Sequence, residues 1–231
     1  MASNHGWKVE LIPWDHQNPD HVERLYDQRV ACGWRSDEVP LWVESAKKGG
    51  KIFFWIVLSD ALPDRERVVQ KFVKASPRES ASLRDTAAEV RLVPRQPTMR
   101  GFNPIGHVAL DIHTPKEDME LGLPAVGTVW IHQLYISHTL QGGGFGVGTM
   151  SKIEALAAAE PINAHLAALD TVSREVHMDP EKRTVLYGEG RLPPPRVSTE
   201  EWYIRLGYEP FRRKAGGYIW ASKDGADIPS K

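Results

Sequence analysis

One cysteine, Cys32, occurs in 231 residues, so no intramolecular disulfide can staple the fold. No Cys/His spacing of the zinc type is present either, and the chain reads as one kept in a reducing compartment. Long apolar runs are missing: nowhere do about 18 consecutive apolar residues occur. The N-terminus, Met-Ala-Ser-Asn-His-Gly-Trp, lacks a basic stretch followed by an apolar one. A cytoplasmic location without a membrane partner is the expectation. A surplus of either charge is missing too, since 29 basic residues face 30 acidic ones for a formal charge of −1. Such a balance supplies no long-range field to hold nucleic acid.

What is present is an apolar share of 41% and a charged share of 26%, which suits a folded chain with polar loops. The length fits a single domain over residues 1–231. Trp7 to Pro13 alternates like a half-buried strand, and Asp20 can cap a helix carrying Val22, Leu25, Tyr26, Arg29 and Val30. A second helix carries Leu41, Trp42 and Ala46. Lys51–Leu58 is β-branched and aromatic, and reads as a buried strand. Residues 60–100 become rich in charge, Ser and Pro, and read as an insertion with a short helix near Arg84–Glu89. Residues 104–112 and 126–137 read as a strand pair. Val147, Met150, Ile153, Leu156 and Ala157 recur at helical spacing before Pro161. His165 to Val172 reads as a strand parallel to the one before that helix. A second insertion covers residues 173–197. Ser198 to Glu201 has capping-box form and opens a short helix with Trp202 and Leu206, stopped by Gly207. Residues 208–211 and 217–221 read as a closing hairpin.

Between the third long strand and the Ala-rich helix stands Gln141-Gly142-Gly143-Gly144-Phe145-Gly146-Val147-Gly148-Thr149. A strand running through glycines into a helix presents unobstructed backbone N–H groups to an anion. A P-loop needs Lys followed by Ser or Thr after its last glycine, and here Thr149-Met150 follows. The dinucleotide spacing G-x-G-x-x-G fails in both registers. The pattern that fits is Gln/Arg-x-x-Gly-x-Gly/Ala.

With that pattern, the run Leu134 to Gly146 resembles the fourth strand and pyrophosphate loop of the GNAT (GCN5-related) N-acetyltransferase superfamily. Glu201-Trp-Tyr-Ile-Arg-Leu-Gly-Tyr-Glu-Pro-Phe resembles that family's C-terminal element. The resemblance implies an α/β (α+β) fold with a central, mostly antiparallel mixed sheet whose fourth and fifth strands splay apart, flanked by helices. It implies acetyl-CoA as co-substrate, held by residues 141–149 and by the strand around Leu134, Tyr135 and Ile136, the backbones of Leu134 and Ile136 meeting the pantetheine. It implies direct acetyl transfer to a primary amine through a tetrahedral intermediate, with no metal.

Transfer to an amine needs a base, and His132 can take a proton near neutrality. Strand alternation puts it on one face with Trp130, Leu134 and Ile136, and Gln133 on the other. The arylalkylamine N-acetyltransferases resemble this arrangement, with Trp130 where they carry a second histidine. Tyr203 matches the family tyrosine that protonates the departing sulfur. Asp111, Glu117, Asp118 and Glu120 read as a solvated loop. Trp34, Trp42 and Trp130 are candidates for lining the acceptor site. The expected acceptor is a small-molecule amine, with a protein N-terminus or lysine, or a non-catalytic acyl-CoA-binding module, as alternatives. The expected assembly is a monomer or homodimer.

Overall fold

A computed structural model describes residues 6–187, 196–213, 219–221 and 227–229. The chain divides into two compact units, Met1–Leu169 and Asp170–Lys231. The first runs β1 (Val9–Pro13), α1 (Pro19–Cys32), α2 (Val39–Lys47), β2 (Lys51–Leu58), α3 (Arg65–Ala75), β3 (Leu83–Arg84), β4 (Glu89–Val90), β5 (Val93–Pro94), β6 (Gly101–Phe102), β7 (Pro104–Asp111), α4 (Pro115–Glu120), β8 (Thr128–Ile136), α5 (Phe145–Ala158) and β9 (Leu166–Ala168). Five strands form one sheet in the order β1-β2-β7-β8-β9. All its pairs are antiparallel except β8–β9, which is parallel. This is the mixed, mostly antiparallel, helix-flanked sheet that the resemblance implied.

β2 and β7 are buried at every position, so both faces of the sheet are covered. On one face Phe53, Trp55 and Ala109 pack with Leu25 of α1 and Val39, Trp42 and Ala46 of α2. Trp55 is wholly buried, and burial of such a side chain contributes about 2–3 kcal/mol. α5 packs along β1, β7 and β8, burying Met150, Ile153 and Ala157.

α1 departs from the apolar face read from its spacing. Tyr26 and Val30 are exposed, whereas His21, Arg24, Gln28 and Arg29 are buried. The insertion explains the inversion. Arg24 donates to the carbonyls of Glu79 and Ala81, Gln28 donates to the Glu79 carboxylate and the Pro104 carbonyl, and His21 bonds the Arg84 carbonyl. Residues 79–84 of the insertion thus lie against α1, and polar side chains are buried because each finds a partner. No helix forms near Arg84–Glu89. The helix of the insertion is α3, and β4 and β5 form a hairpin. Asp85 ties the insertion together through both oxygens to Arg95 (2.6 and 2.8 Å) and through Thr98. Burial pushes its carboxyl up, but those bonds outweigh it and leave the pKa at about 2. Asn18, not Asp20, caps α1, accepting from the Asp20 amide.

The second unit carries α6 (Arg174–His177), α7 (Pro180–Tyr187), α8 (Thr199–Arg205), β10 (Ile219–Ala221) and β11 (Asp227–Pro229). α8 opens on the Ser198/Glu201 capping box. The expected closing hairpin is replaced: β10 pairs with β11, and residues 208–213 form no strand. Residues 188–195 of the second insertion and 214–218 of the expected hairpin lie outside the described residues.

Candidate active site

The site is set by an opening in the sheet and an irregularity beside it. β9 pairs only with the start of β8, through Thr128, Val129 and Trp130. Beyond Trp130, β8 has no strand partner on that side among the described residues. Its other edge stays on β7, where Tyr135 faces His107 and His132 faces Ala109. Gln133 and Leu134 therefore share one partner position, Val108, and the strand bulges there with Gln133 at φ +48°.

The bulge corrects the alternation read from the sequence. His132 shares its face with Trp130 and Tyr135, while Ile136, opposite Gly106, lies on the other face. Gln133 does not point away from the histidine: its side-chain oxygen accepts from Lys51 Nζ at 2.9 Å. Gly106 makes the close approach possible, because a Cβ there would sit 1.9 Å from the Tyr135 carbonyl oxygen.

On the α1/α2 face stands a polar cluster. Asp111 Oδ2 bonds His132 Nδ1 at 2.5 Å and Lys51 Nζ at 2.6 Å. Asp111 is only 8% and Asp118 only 3% exposed, so neither belongs to the solvated loop expected of them. Burial raises the Asp111 carboxyl, yet the His132 hydrogen bond and the Lys51 charge outweigh it, and its pKa ends below the ordinary value. Lys51 is lowered by burial against the attraction of Asp111. A carboxylate on Nδ1 holds the imidazole in the tautomer whose Nε2 can accept a proton. Asp118 accepts from Trp130 Nε1 at 2.8 Å, and His113 stacks on the Trp130 ring at 4.6 Å, with centroids 5.8 Å from His132. Burial, then the His132 charge, lowers the His113 pKa.

Of the candidate acceptor residues, Trp130 lies 5.7 Å from the His132 ring. Trp42 lies under Lys51, whose ammonium is 5.3 Å from the indole centroid. Trp34 lies in the turn after α1, with its carbonyl accepting from Arg29. Lys51, Gln133, His113 and the roles of Asp111 and Asp118 escaped sequence reading. The single available signal was an acidic residue ending one strand of a pair whose other strand carries His132, and the long connection between them hid the register.

At the far end of β8 the glycine turn closes. Gly142 (φ +81°) and Gly144 (φ +82°) take left-handed conformations, and a Cβ on Gly143 would meet the Phe145 ring at 2.6 Å. α5 then starts at Phe145, its first intrahelical bond being Gly148 N–H to the Gly144 carbonyl. The amides of Phe145, Gly146 and Val147 stay outside that ladder, which suits a bound anion. Lys8 Nζ donates to the Gly143 carbonyl at 2.9 Å. Thr149 is fully buried with its hydroxyl on the Phe145 carbonyl. The Ile136 carbonyl already accepts from Gln141 Nε2 at 3.1 Å, so the implied pantetheine contact has a competitor within the chain. Tyr135 contributes a buried ring tilted against His107, not a side chain to the turn.

Tyr203 belongs to the second unit, on α8, beside Trp202 and Tyr208. Burial, then the charge of Asp170, raises its pKa, so the phenol keeps its proton at neutral pH. Among the described residues no group of three or more His, Cys, Asp or Glu is placed to hold a metal ion, and no helix is long and apolar enough to cross a membrane.

No protein-family model matches the chain, and no curated protein matches it. Solved structures with similarity to it include an acetyltransferase of Trypanosoma brucei, 13% identical, covering 89% of this chain and 96% of that one with a TM-score of 0.41. Arabidopsis thaliana NAA60 in complex with acetyl-CoA is 15% identical over 92% of this chain and 90% of that one, with a TM-score of 0.49. A GCN5-related N-acetyltransferase from Ralstonia eutropha is 13% identical over 91% of this chain and 98% of that one, with a TM-score of 0.44.

Proposed function

We propose that the protein is an acetyl-CoA-dependent N-acetyltransferase of GNAT type acting on a primary amine of a small molecule. The observation that carries this reading is the opening of β8 from β9 after Trp130, with the Asp111–His132 pair at one end of the opened segment and the glycine turn at the other. An unpaired strand edge offers directional hydrogen bonds to an extended amide-bearing chain. The amides of residues 145–147 suit its pyrophosphate. Acetyl-CoA supplies the acyl thioester.

His132 takes the proton of the attacking amine, directly or through water, as the C–N bond forms. Asp111 fixes its tautomer and balances the charge it gains, and Lys51 holds Asp111 in place. Tyr203 gives its proton to the sulfur as the C–S bond breaks. Its raised pKa supports a donor rather than a base. Trp42 and Trp130 flank the cluster as walls for the acceptor. The reading also takes residues 1–231 to act as one enzyme, found as a monomer or homodimer.

The test is thiol release from acetyl-CoA across an amine panel, with mass detection of the acetylated product. Amine-stimulated release that falls at least tenfold in His132→Ala is expected. Acetyl-CoA binding without release on any amine would point to a binding module instead.

A further inference from the structure

Resting on that acyl-transfer reading, we propose that Arg29 receives a carboxylate of the acceptor, so that the substrate is an amino acid or another amine bearing a carboxylate. Arg29 lies on α1 with 4% of its surface exposed. Its side chain's one hydrogen bond among the described residues runs from Nε to the Trp34 carbonyl, at 2.8 Å. Arg24, equally buried on the same helix, shows the contrast, since both its terminal nitrogens end on carbonyls.

The terminal nitrogens of Arg29 make no such bonds. They are not sealed from solvent either: among the described residues, the fully buried side-chain nitrogens that lack a partner belong to His107 and His113.

The charges around Arg29 leave it unbalanced. Arg35 is paired with Glu38 at 3.5 Å, and Lys51 with Asp111 at 2.6 Å. Burial raises the Cys32 thiol and the Tyr135 phenol, which keeps both neutral near pH 7. No carboxylate forms an ion pair with Arg29 among the described residues. A buried guanidinium in that state is costly unless an anion arrives, and its planar donor fork suits a carboxylate.

Position links this charge to the reacting end. Trp42 carries the Arg29 guanidinium 5.5 Å from its ring centroid and the Lys51 ammonium at 5.3 Å, and Lys51 holds the carboxylate that holds His132. A plain alkylammonium approaching this face meets the guanidinium of Arg29 without a counter-charge, the Lys51 ammonium being balanced by Asp111. An acceptor that brings its own carboxylate cancels that charge while Trp42 covers its apolar body.

The experiment is calorimetric titration of wild type and Arg29→Met with matched pairs: phenylalanine and phenethylamine, tryptophan and tryptamine, leucine and isoamylamine. Acetyl-CoA binding and circular dichroism are measured alongside. Wild type is expected to bind the amino acid of at least one pair about tenfold or more tighter than its decarboxylated partner, the range of a charged hydrogen bond. Arg29→Met is expected to bring the two within about twofold while acetyl-CoA affinity holds, and Arg29→Lys, lacking the fork, to fall between. Amines binding as well as or better than amino acids in wild type would overturn the proposal, whether or not Arg29→Met folds. So would a preference that survives Arg29→Met. Because binding is read without turnover, thiol release on the same pairs reports separately on the acyl-transfer reading.

Discussion

Removing Asp111 and removing Lys51 should shift the pH dependence of amine-stimulated thiol release in opposite directions. The Asp111 carboxylate touches the His132 ring at 2.5 Å, and Lys51 touches the same carboxylate at 2.6 Å. At an effective dielectric of about 20, a charge roughly 4 Å from the ring contributes about 4 kcal/mol, and one at roughly 6 Å somewhat under 3. One pKa unit corresponds to about 1.4 kcal/mol. Allowing for relaxation, Asp111→Asn should move the acidic limb of kcat/KM down by about 1–3 pH units, since the imidazolium loses its counter-charge. Lys51→Met should move it up by about 1, since a repelling cation goes and the carboxylate serves the histidine alone. The other charged groups nearby, His113, Asp118, and the Arg35–Glu38 pair, are common to both variants, as is the titration of the amine. Asp111→Asn also strands a buried lysine, at a cost of roughly 3–5 kcal/mol, so initial rates are best taken at low temperature. The assay is thiol release between pH 5.5 and 9.5 with one fixed acceptor. Shifts of the same sign, or limbs that coincide with wild type in both variants, would refute the base assignment.

Gly106→Ala should destabilise the first unit by roughly 2–4 kcal/mol in denaturant unfolding, because the added methyl meets the Tyr135 carbonyl at 1.9 Å and backbone cannot yield cheaply. A change under about 0.5 kcal/mol would mean that β7 and β8 lie farther apart than described. Tyr203→Phe should lower kcat about ten- to hundredfold with acetyl-CoA affinity unchanged, checked by steady-state kinetics and calorimetry. An unaltered kcat would remove its acid role. Asp85→Asn should cost about 2–4 kcal/mol at neutral pH. The carboxyl is depressed to about 2 in the fold, so its contribution is complete above pH ~4 and fades as pH falls towards 2. Wild type and variant should converge in stability there, as thermal unfolding against pH would show.

The turn and the sheet were legible in the sequence because they depend on local rules. Glycines at 142 and 144 mark positive φ, Val147 to Ala157 marks a helix face, and β2 is apolar throughout. The cluster around His132 was not legible, because a bulge at Gln133 is a matter of register between strands separated by a long connection. A one-residue offset changes which side chains meet, and it brought Gln133 to Lys51 and Tyr135 to the His132 face. The buried face of α1 was misread for a related reason. Periodicity assigns apolar residues inward, whereas His21, Arg24 and Gln28 are inward because the insertion brings carbonyls and a carboxylate to them. The order in residues 60–100 depends in turn on pairs such as Asp85–Arg95, which composition presents only as charge.

The most direct measurement is an acetyl-CoA titration of isotopically labelled protein followed by amide NMR. Saturable shifts at one equivalent, concentrated on residues 142–147 and on Ile131 to Leu134, are predicted. Binding that leaves those amides unmoved, or no binding at all, would contradict the claim that the open edge of β8 and its glycine turn hold the acyl donor.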